Sequence, residues 1–154
     1  MVSVLFVCLG NICRSPMAEA VLRHKIVQRG LQGKISVDSA GTGDWHIGNV
    51  PHEGTRKLLD SWQISYEGMV ARKVVSEDLV KFDYVIGMDD SNVANMRKLT
   101  GGEQAAILKF MDLLPDEKLR EVPDPYFTGN FDEVYRLIDA GCDILLDKIM
   151  KEKL

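Results

Sequence analysis

Hydrophobic positions along the chain alternate between short uncharged runs and stretches with helical spacing. Val2-Ser3-Val4-Leu5-Phe6-Val7 is β-branched and aromatic with no charge, the pattern of a strand buried on both faces. Behind it, residues 8–14 form a turn, and Ser15 is placed to cap a helix with Pro16 in its first turn. Ala18, Val21, Leu22 and Ile26 continue that helix until Gly30 stops it. Residues 34–39 read as a second strand, residues 41–48 as a glycine-bearing loop, and Pro51 as the opening of a helix carrying Leu58 and Leu59. Ser76 caps a short turn, residues 82–88 form a strand, and Asp90 or Ser91 begins a helix to about Leu99. Residues 105–110 make a last strand. The stretch 111–129, with Pro115, Pro123 and Pro125, is long for a connection in a compact domain and so marks a functional or disordered segment. Asn130 with Glu133 resembles a capping box, and Phe131, Val134, Ile138, Cys142, Leu145 and Ile149 form one stripe of a C-terminal helix.

Strand and helix in alternation predict an α/β fold: a single domain over residues 1–154, with an open four-stranded parallel sheet, helices on both faces and a ligand-binding loop after the first strand. The chain has 154 residues, 45% of them hydrophobic and 27% charged, enough for one core and not for compositional disorder. A formal charge of -4 argues against nucleic-acid binding and against a basic membrane-surface role, so any anion site is local. The longest apolar run, residues 4–9, is too short to cross a bilayer and lacks the flanks of a signal peptide, which points to the cytoplasm. Nothing demands more than a monomer. Cys8, Cys13 and Cys142 cannot all pair within one chain, which excludes a disulfide scaffold. His24, His46 and His52 are scattered and no cysteine and histidine spacing suits zinc, so the reading requires no metal and no cofactor.

Chemistry concentrates in Cys8-Leu9-Gly10-Asn11-Ile12-Cys13-Arg14-Ser15, between the buried strand and a helix start. Backbone N–H groups of such a turn converge on one point, helped by Gly10 and Asn11, which tolerate left-handed backbone, and the helix adds its positive end. A tetrahedral dianion fits there, with Arg14 offering a fork of donors to two phosphoryl oxygens. The same dipoles and Arg14 favour thiolate over thiol at Cys8, and Ser15 adds a hydroxyl donor. A phosphate cradle that contains a thiolate implies a phosphocysteine intermediate. A bare C-x5-R spacing is weak evidence; strand before, Gly and Asn within, and Ser-Pro and helix after give it weight. The segment Pro123-Asp124-Pro125 stiffens the backbone around one carboxylate, which draws attention to Asp124.

Val7-Cys8-Leu9-Gly10-Asn11-Ile12-Cys13-Arg14-Ser15-Pro16 resembles the signature of the low-molecular-weight protein tyrosine phosphatases. Asp38-Ser39-Ala40-Gly41, Ala71-Arg72, Phe82-Asp83-Tyr84, Met88-Asp89-Asp90-Ser91-Asn92 and Val122-Pro123-Asp124-Pro125-Tyr126-Phe127 extend the likeness over essentially the whole chain, closest to the bacterial branch. The resemblance implies hydrolysis of phosphotyrosine, in proteins or small aryl phosphates, with inorganic phosphate released. It implies Cys8 as nucleophile, Arg14 as phosphate clamp and Asp124 as acid and then base, with residues 9–15 cradling the phosphate. It further implies Trp45, Tyr126 and Phe127 as aromatic walls, and Asn11, Ser15 and Ser39 as loop support. Some members place a histidine in that support where this chain has Met69, and Phe127 stands where many have a second tyrosine. Relatives that hydrolyse phosphoarginine carry a threonine in place of Ile12, so Ile12 favours phosphotyrosine. Cys13, five residues from Cys8 on a curled loop, is placed to resolve an oxidised Cys8 as a disulfide.

Two alternatives stand beside this reading. An arsenate reductase on the same fold needs further redox cysteines, and Cys142 sits on a predicted core stripe. A noncatalytic phosphotyrosine-binding module is expected to have lost at least one of Cys8, Arg14 and Asp124.

Overall fold

β1 (Val2–Cys8) is the axis of the molecule, with both faces of its side chains covered. Val2, Val4, Phe6 and Cys8 point into one cluster with the first helix, α1 (Arg14–Gln28), and the C-terminal helix, whereas Leu5 and Val7 point into a second cluster with Val74, Leu79, Val85 and Met96. That two-sided burial is why the run lacks the polar alternation of a half-exposed strand. The computed structural model describes residues 1–99 and 106–154.

The four described strands, β1, β2 (Ile35–Gly41), β3 (Tyr84–Gly87) and β4 (Ile107–Lys109), form one parallel sheet in the order β2-β1-β3-β4. The predicted α/β architecture is the observed one. The helices are α1 (Arg14–Gln28), α2 (Glu53–Ser61), α3 (Asp78–Lys81), α4 (Asp90–Leu99), α5 (Pro125–Thr128) and α6 (Phe131–Lys153). No described helix is long and apolar enough to cross a membrane.

Several boundaries differ from expectation: β2 runs over Ile35–Gly41 rather than 34–39, β3 over Tyr84–Gly87 rather than 82–88, and α3 has Glu77 at its N-cap with no side-chain cap from Ser76. Helix α1 starts at Arg14 with Cys13 at its N-cap and no side-chain cap, so Ser15 is inside the first turn rather than before it. Helix α2 begins at Glu53, capped by the His52 ring accepting from Gly54 N–H, and Pro51 lies outside. The last strand is shorter than residues 105–110; position 105 lies outside the described residues, and a 3₁₀ turn begins at Phe110. In contrast, Gly30 ends α1 in a left-handed turn (φ 69°), and Asn130 accepts from Glu133 N–H to start α6. Cys142 is fully buried on the α6 stripe, and Gly141 beside it gives the Phe110 ring room that a Cβ would take.

β1 has β2 on one side and β3 on the other, so the chain leaves its C-terminal end in one direction and later returns on the other. Open parallel sheets bind ligands at such a switch point, and the loop 9–13 lies there.

Candidate active site

The loop after β1 is held from outside by its own carbonyls. Cys8 C=O accepts from Thr42 N–H (2.9 Å), Leu9 C=O from Gly43 N–H (2.9 Å) and Ile12 C=O from His52 N–H (2.7 Å). In a trans peptide the C=O and the following N–H point opposite ways, and there is no cis bond among the described residues. The N–H groups of Leu9, Gly10 and Cys13 therefore turn inward, joined by the open first turn of α1. Asn11 takes the left-handed backbone (φ 56°), as its residue type allows. Gly10 does not; its lack of a side chain instead admits the His46 ring, whose Cδ2 would lie 3.1 Å from an added Cβ.

Cys8 Sγ is buried, 3.0 Å from Ser15 Oγ. The unexpected helix start explains this contact: a Ser15 hydroxyl spent on capping backbone would be withdrawn from the sulfur. Asn11 Nδ2 donates to Ser15 Oγ (2.8 Å) and to Ser39 Oγ (3.0 Å), which brings together the three predicted support residues. Ser39 Oγ donates to the buried carboxylate of Glu19 (2.6 Å), which also pairs with Arg23. Met69 Sδ accepts from that same arginine at 3.7 Å, which puts Met69 at the outer end of the Ser39, Glu19 and Arg23 series.

The Arg14 guanidinium is almost wholly buried, and its Nη1 donates to Asp89 (2.8 Å) and to Val122 C=O (3.0 Å). Asp124 Oδ2 stands 3.4 Å from Arg14 Nη2. Burial opposes the Arg14 charge, but Cys8, Asp89 and Asp124 outweigh it and raise its pKa. Asp124 caps α5, its Oδ1 accepting from Tyr126 N–H (3.1 Å), so two flanking prolines and a cap fix the carboxylate over the arginine. Cys13 is pushed up to about 12 by its burial and then by the negative charges of Cys8 and Asp124. Burial also pushes the Cys142 thiol up.

A pocket of about 370 Å³ joins these groups, lined by Cys8, Ile12, Cys13, Arg14 and Asp124, with Trp45, His46, Tyr126 and Phe127 at its rim. Trp45 and Phe127 are 68% and 75% exposed, so their rings are available to a ligand rather than engaged in the core. Tyr126 is braced edge-on against His52 (5.8 Å) and Phe127 (5.2 Å). The residues given a catalytic, phosphate-binding, wall or support role from the sequence thus lie in this pocket or directly behind it, Ser39 in the supporting layer, whereas Cys142 lies in the core. Sequence reasoning missed Asp89, Glu19 and His46. Glu19 carried a local signal, a single carboxylate inside the otherwise apolar helical run 17–22. Among the described residues, no group of three or more His, Cys, Asp or Glu side chains is arranged to hold a metal ion.

Residues 3–154 match the family model for low molecular weight phosphotyrosine protein phosphatase. The chain is 54% identical over 154 residues to the low molecular weight protein-tyrosine-phosphatase YfkJ of Bacillus subtilis, covering 99% of each chain. It is 45% identical over 152 residues to the protein-tyrosine-phosphatase PtpA of Staphylococcus epidermidis, covering 99% of this chain and 96% of that one. The crystal structure of Bacillus subtilis YfkJ superposes with a TM-score of 0.98, covering 100% of this chain and 98% of the other. The Drosophila arginine phosphatase structure has the same fold at 33% identity and a TM-score of 0.88, covering 97% of this chain and 99% of that one.

Proposed function

This chain belongs to the low molecular weight phosphotyrosine protein phosphatase family and is a protein-tyrosine-phosphatase, and from that premise we propose that it works through a phosphocysteine on Cys8. The carrying observation is convergence in one pocket: Cys8 beside the Ser15 hydroxyl, Arg14 held from behind by Asp89, and Asp124 above it. A phosphoryl group enters with its oxygens toward the inward N–H groups of residues 9–15 and toward the Nε and Nη2 edge of Arg14. Cys8 Sγ attacks phosphorus while the protonated Asp124 gives its proton to the departing phenol oxygen. The Asp124 carboxylate then takes a proton from water, which attacks phosphocysteine and releases inorganic phosphate. As sulfur leaves, the Ser15 hydroxyl donates to it.

Trp45, Tyr126 and Phe127 make the pocket long enough for an aryl phosphate, whereas phosphoserine leaves its phosphorus short of the sulfur. Ile12, buried against Ala71 and Cys13, narrows the floor and disfavours phosphoarginine. The Drosophila relative shows that the fold alone does not set this choice. Tyrosine-phosphorylated proteins and small aryl phosphates are both substrates of such a slot. The pocket is completed by one chain, which suits a monomer. Three free cysteines suit a reducing, cytoplasmic compartment. Cys142 has no exposed surface, so it cannot relay electrons for arsenate reduction.

Release of p-nitrophenol from p-nitrophenyl phosphate in the presence of a chelator tests the metal-independent reaction. Cys8→Ser should abolish that release while phosphate or vanadate still binds, because a serine hydroxyl stays protonated at neutral pH. Turnover retained in Cys8→Ser would overturn the mechanism.

A further inference from the structure

Asn11 carries neither nucleophile nor acid, yet its amide sets the direction of every hydrogen bond behind the sulfur. Its Nδ2 donates to Ser15 and Ser39, and its Oδ1 accepts from Arg72 N–H at 2.9 Å. Ser39 Oγ, having accepted from Asn11, gives its proton to Glu19. Ser15 Oγ, likewise having accepted from Asn11, lies 3.0 Å from Cys8 Sγ and 3.4 Å from Ala40 C=O, and it gives its proton to the sulfur when that sulfur is a thiolate, which has none to donate. An Asn11 amide turned over would face its NH₂ to the Arg72 N–H, donor against donor, and its carbonyl to both serines, drawing the Ser15 proton away from sulfur. The Arg72 N–H is thus the group that decides the orientation.

The Arg72 side chain is bonded on two sides by carboxylates. Its Nε and Nη2 donate to Asp38 Oδ2 (3.2 and 3.1 Å), while Nη1 and Nη2 donate to the two oxygens of Asp78 (2.9 and 3.2 Å). Asp78 is buried and also accepts from Val75 N–H, so it is a fixed post. Arg72 C=O accepts from Gly41 N–H (2.8 Å), tying the segment to the end of β2. The side chain lies in a separate polar pocket behind the loop, with Glu19, Arg23 and Asp38, and does not line the catalytic pocket.

We infer that Arg72 is a positioning residue for the phosphatase reaction: gripped between Asp38 and Asp78, it holds its main-chain N–H on Asn11 and so aims the Ser15 hydroxyl at Cys8. A lysine cannot reproduce it, because one ammonium does not span two carboxylates with a planar fork. The inference rests on the Cys8 mechanism above.

The test is a double-mutant cycle of Arg72→Met with Asn11→Gly, the glycine removing the amide while tolerating the left-handed backbone. The readouts are kcat and KM on a phosphotyrosine peptide and the rate at which iodoacetate alkylates Cys8. Arg72→Met should lower kcat about tenfold, the scale of one mis-set buried hydrogen bond, and slow alkylation with KM little changed. Asn11→Gly should lose at least as much, and the double variant should be no slower than Asn11→Gly. Losses that multiply, or a folded Arg72→Met with native kcat, would overturn the inference. If Arg72→Met does not fold, Arg72→Lys enters the same cycle under the same criteria. Cys8→Ser separates the two claims: if it is inactive while the cycle multiplies, only the Arg72 inference falls.

Discussion

Replacing Asp124 by asparagine isolates proton donation from everything else that residue does. Its structural role is to cap α5, with Oδ1 accepting from Tyr126 N–H, and asparagine is an equally good cap. The contact with Arg14 is long, 3.4 Å against 2.8 Å for Asp89, at the edge of hydrogen-bonding range, so the interaction lost is worth about 1 kcal/mol or less. Structural damage alone thus accounts for roughly a fivefold loss at most, since ~1.4 kcal/mol is one decade in rate. Loss of a general acid is larger, roughly 10²–10⁴ in kcat. Asp124→Asn should therefore lose roughly 10²–10⁴ on phosphotyrosine, whose leaving phenol has a pKa of about 10 and needs the proton. The loss should shrink toward the structural limit on aryl phosphates with strongly acidic phenols. The assay is kcat for wild type and variant across a series of aryl phosphates, plotted against leaving-group pKa. A constant ratio across the series would refute the argument, assigning Asp124 to binding or loop geometry instead.

Asp89→Asn removes the charge behind Arg14, a charge-assisted bond of about 1.5–3 kcal/mol, so phosphate affinity and kcat/KM should both fall roughly tenfold or more; unchanged phosphate inhibition would dismiss Asp89 as support. Ile12→Thr should open the floor to phosphoarginine while phosphotyrosine turnover persists, measured as kcat/KM on matched phosphopeptides, and no gain would remove Ile12 as the filter. Peroxide should convert Cys8 to the sulfenic acid, after which Cys13 sulfur attacks it, forming the disulfide as the S–O bond breaks and water leaves with the Cys13 proton; dithiothreitol should restore activity in wild type and much less in Cys13→Ser, and a mass spectrum without the Cys8 to Cys13 link would leave Cys13 as packing only. Tyr84, pushed up to about 12 by burial and its bond to Glu152, keeps its proton in the folded state above the unfolded pKa of about 10, so its contribution is full below that pH and is lost as pH rises through 12. Urea melts at rising alkaline pH should show a shallower decline in Tyr84→Phe, and parallel declines would exclude this linkage.

The parts of the fold legible in the sequence are those governed by contacts close in the chain. The uncharged run of β1, the Gly30 stop, the Asn130 cap and the α6 stripe each depend on neighbours within a turn, and the structure has them. Asp89, by contrast, meets Arg14 across 75 residues, and Arg72 reaches Asn11 across 61, distances over which no local pattern in a single chain speaks. The most instructive failure is Ser15. Helix-capping chemistry assigns it to the position before the helix, where its hydroxyl would satisfy a backbone N–H, yet the helix begins earlier, capped by Cys13 with no side-chain acceptor. A capping hydroxyl would have occupied the N–H groups that the phosphoryl oxygens need and turned the Ser15 proton away from Cys8. Local rules fail where a site requires unsatisfied donors, and the cost falls on residues far away: Arg72, Asp38 and Asp78 fix Asn11, while Glu19 and Arg23 fix Ser39. The empty cap of α1 and the charged clamps behind the loop are therefore two sides of one arrangement, in which donors left open to a dianion persist because the backbone bearing them is held rigid from the other side.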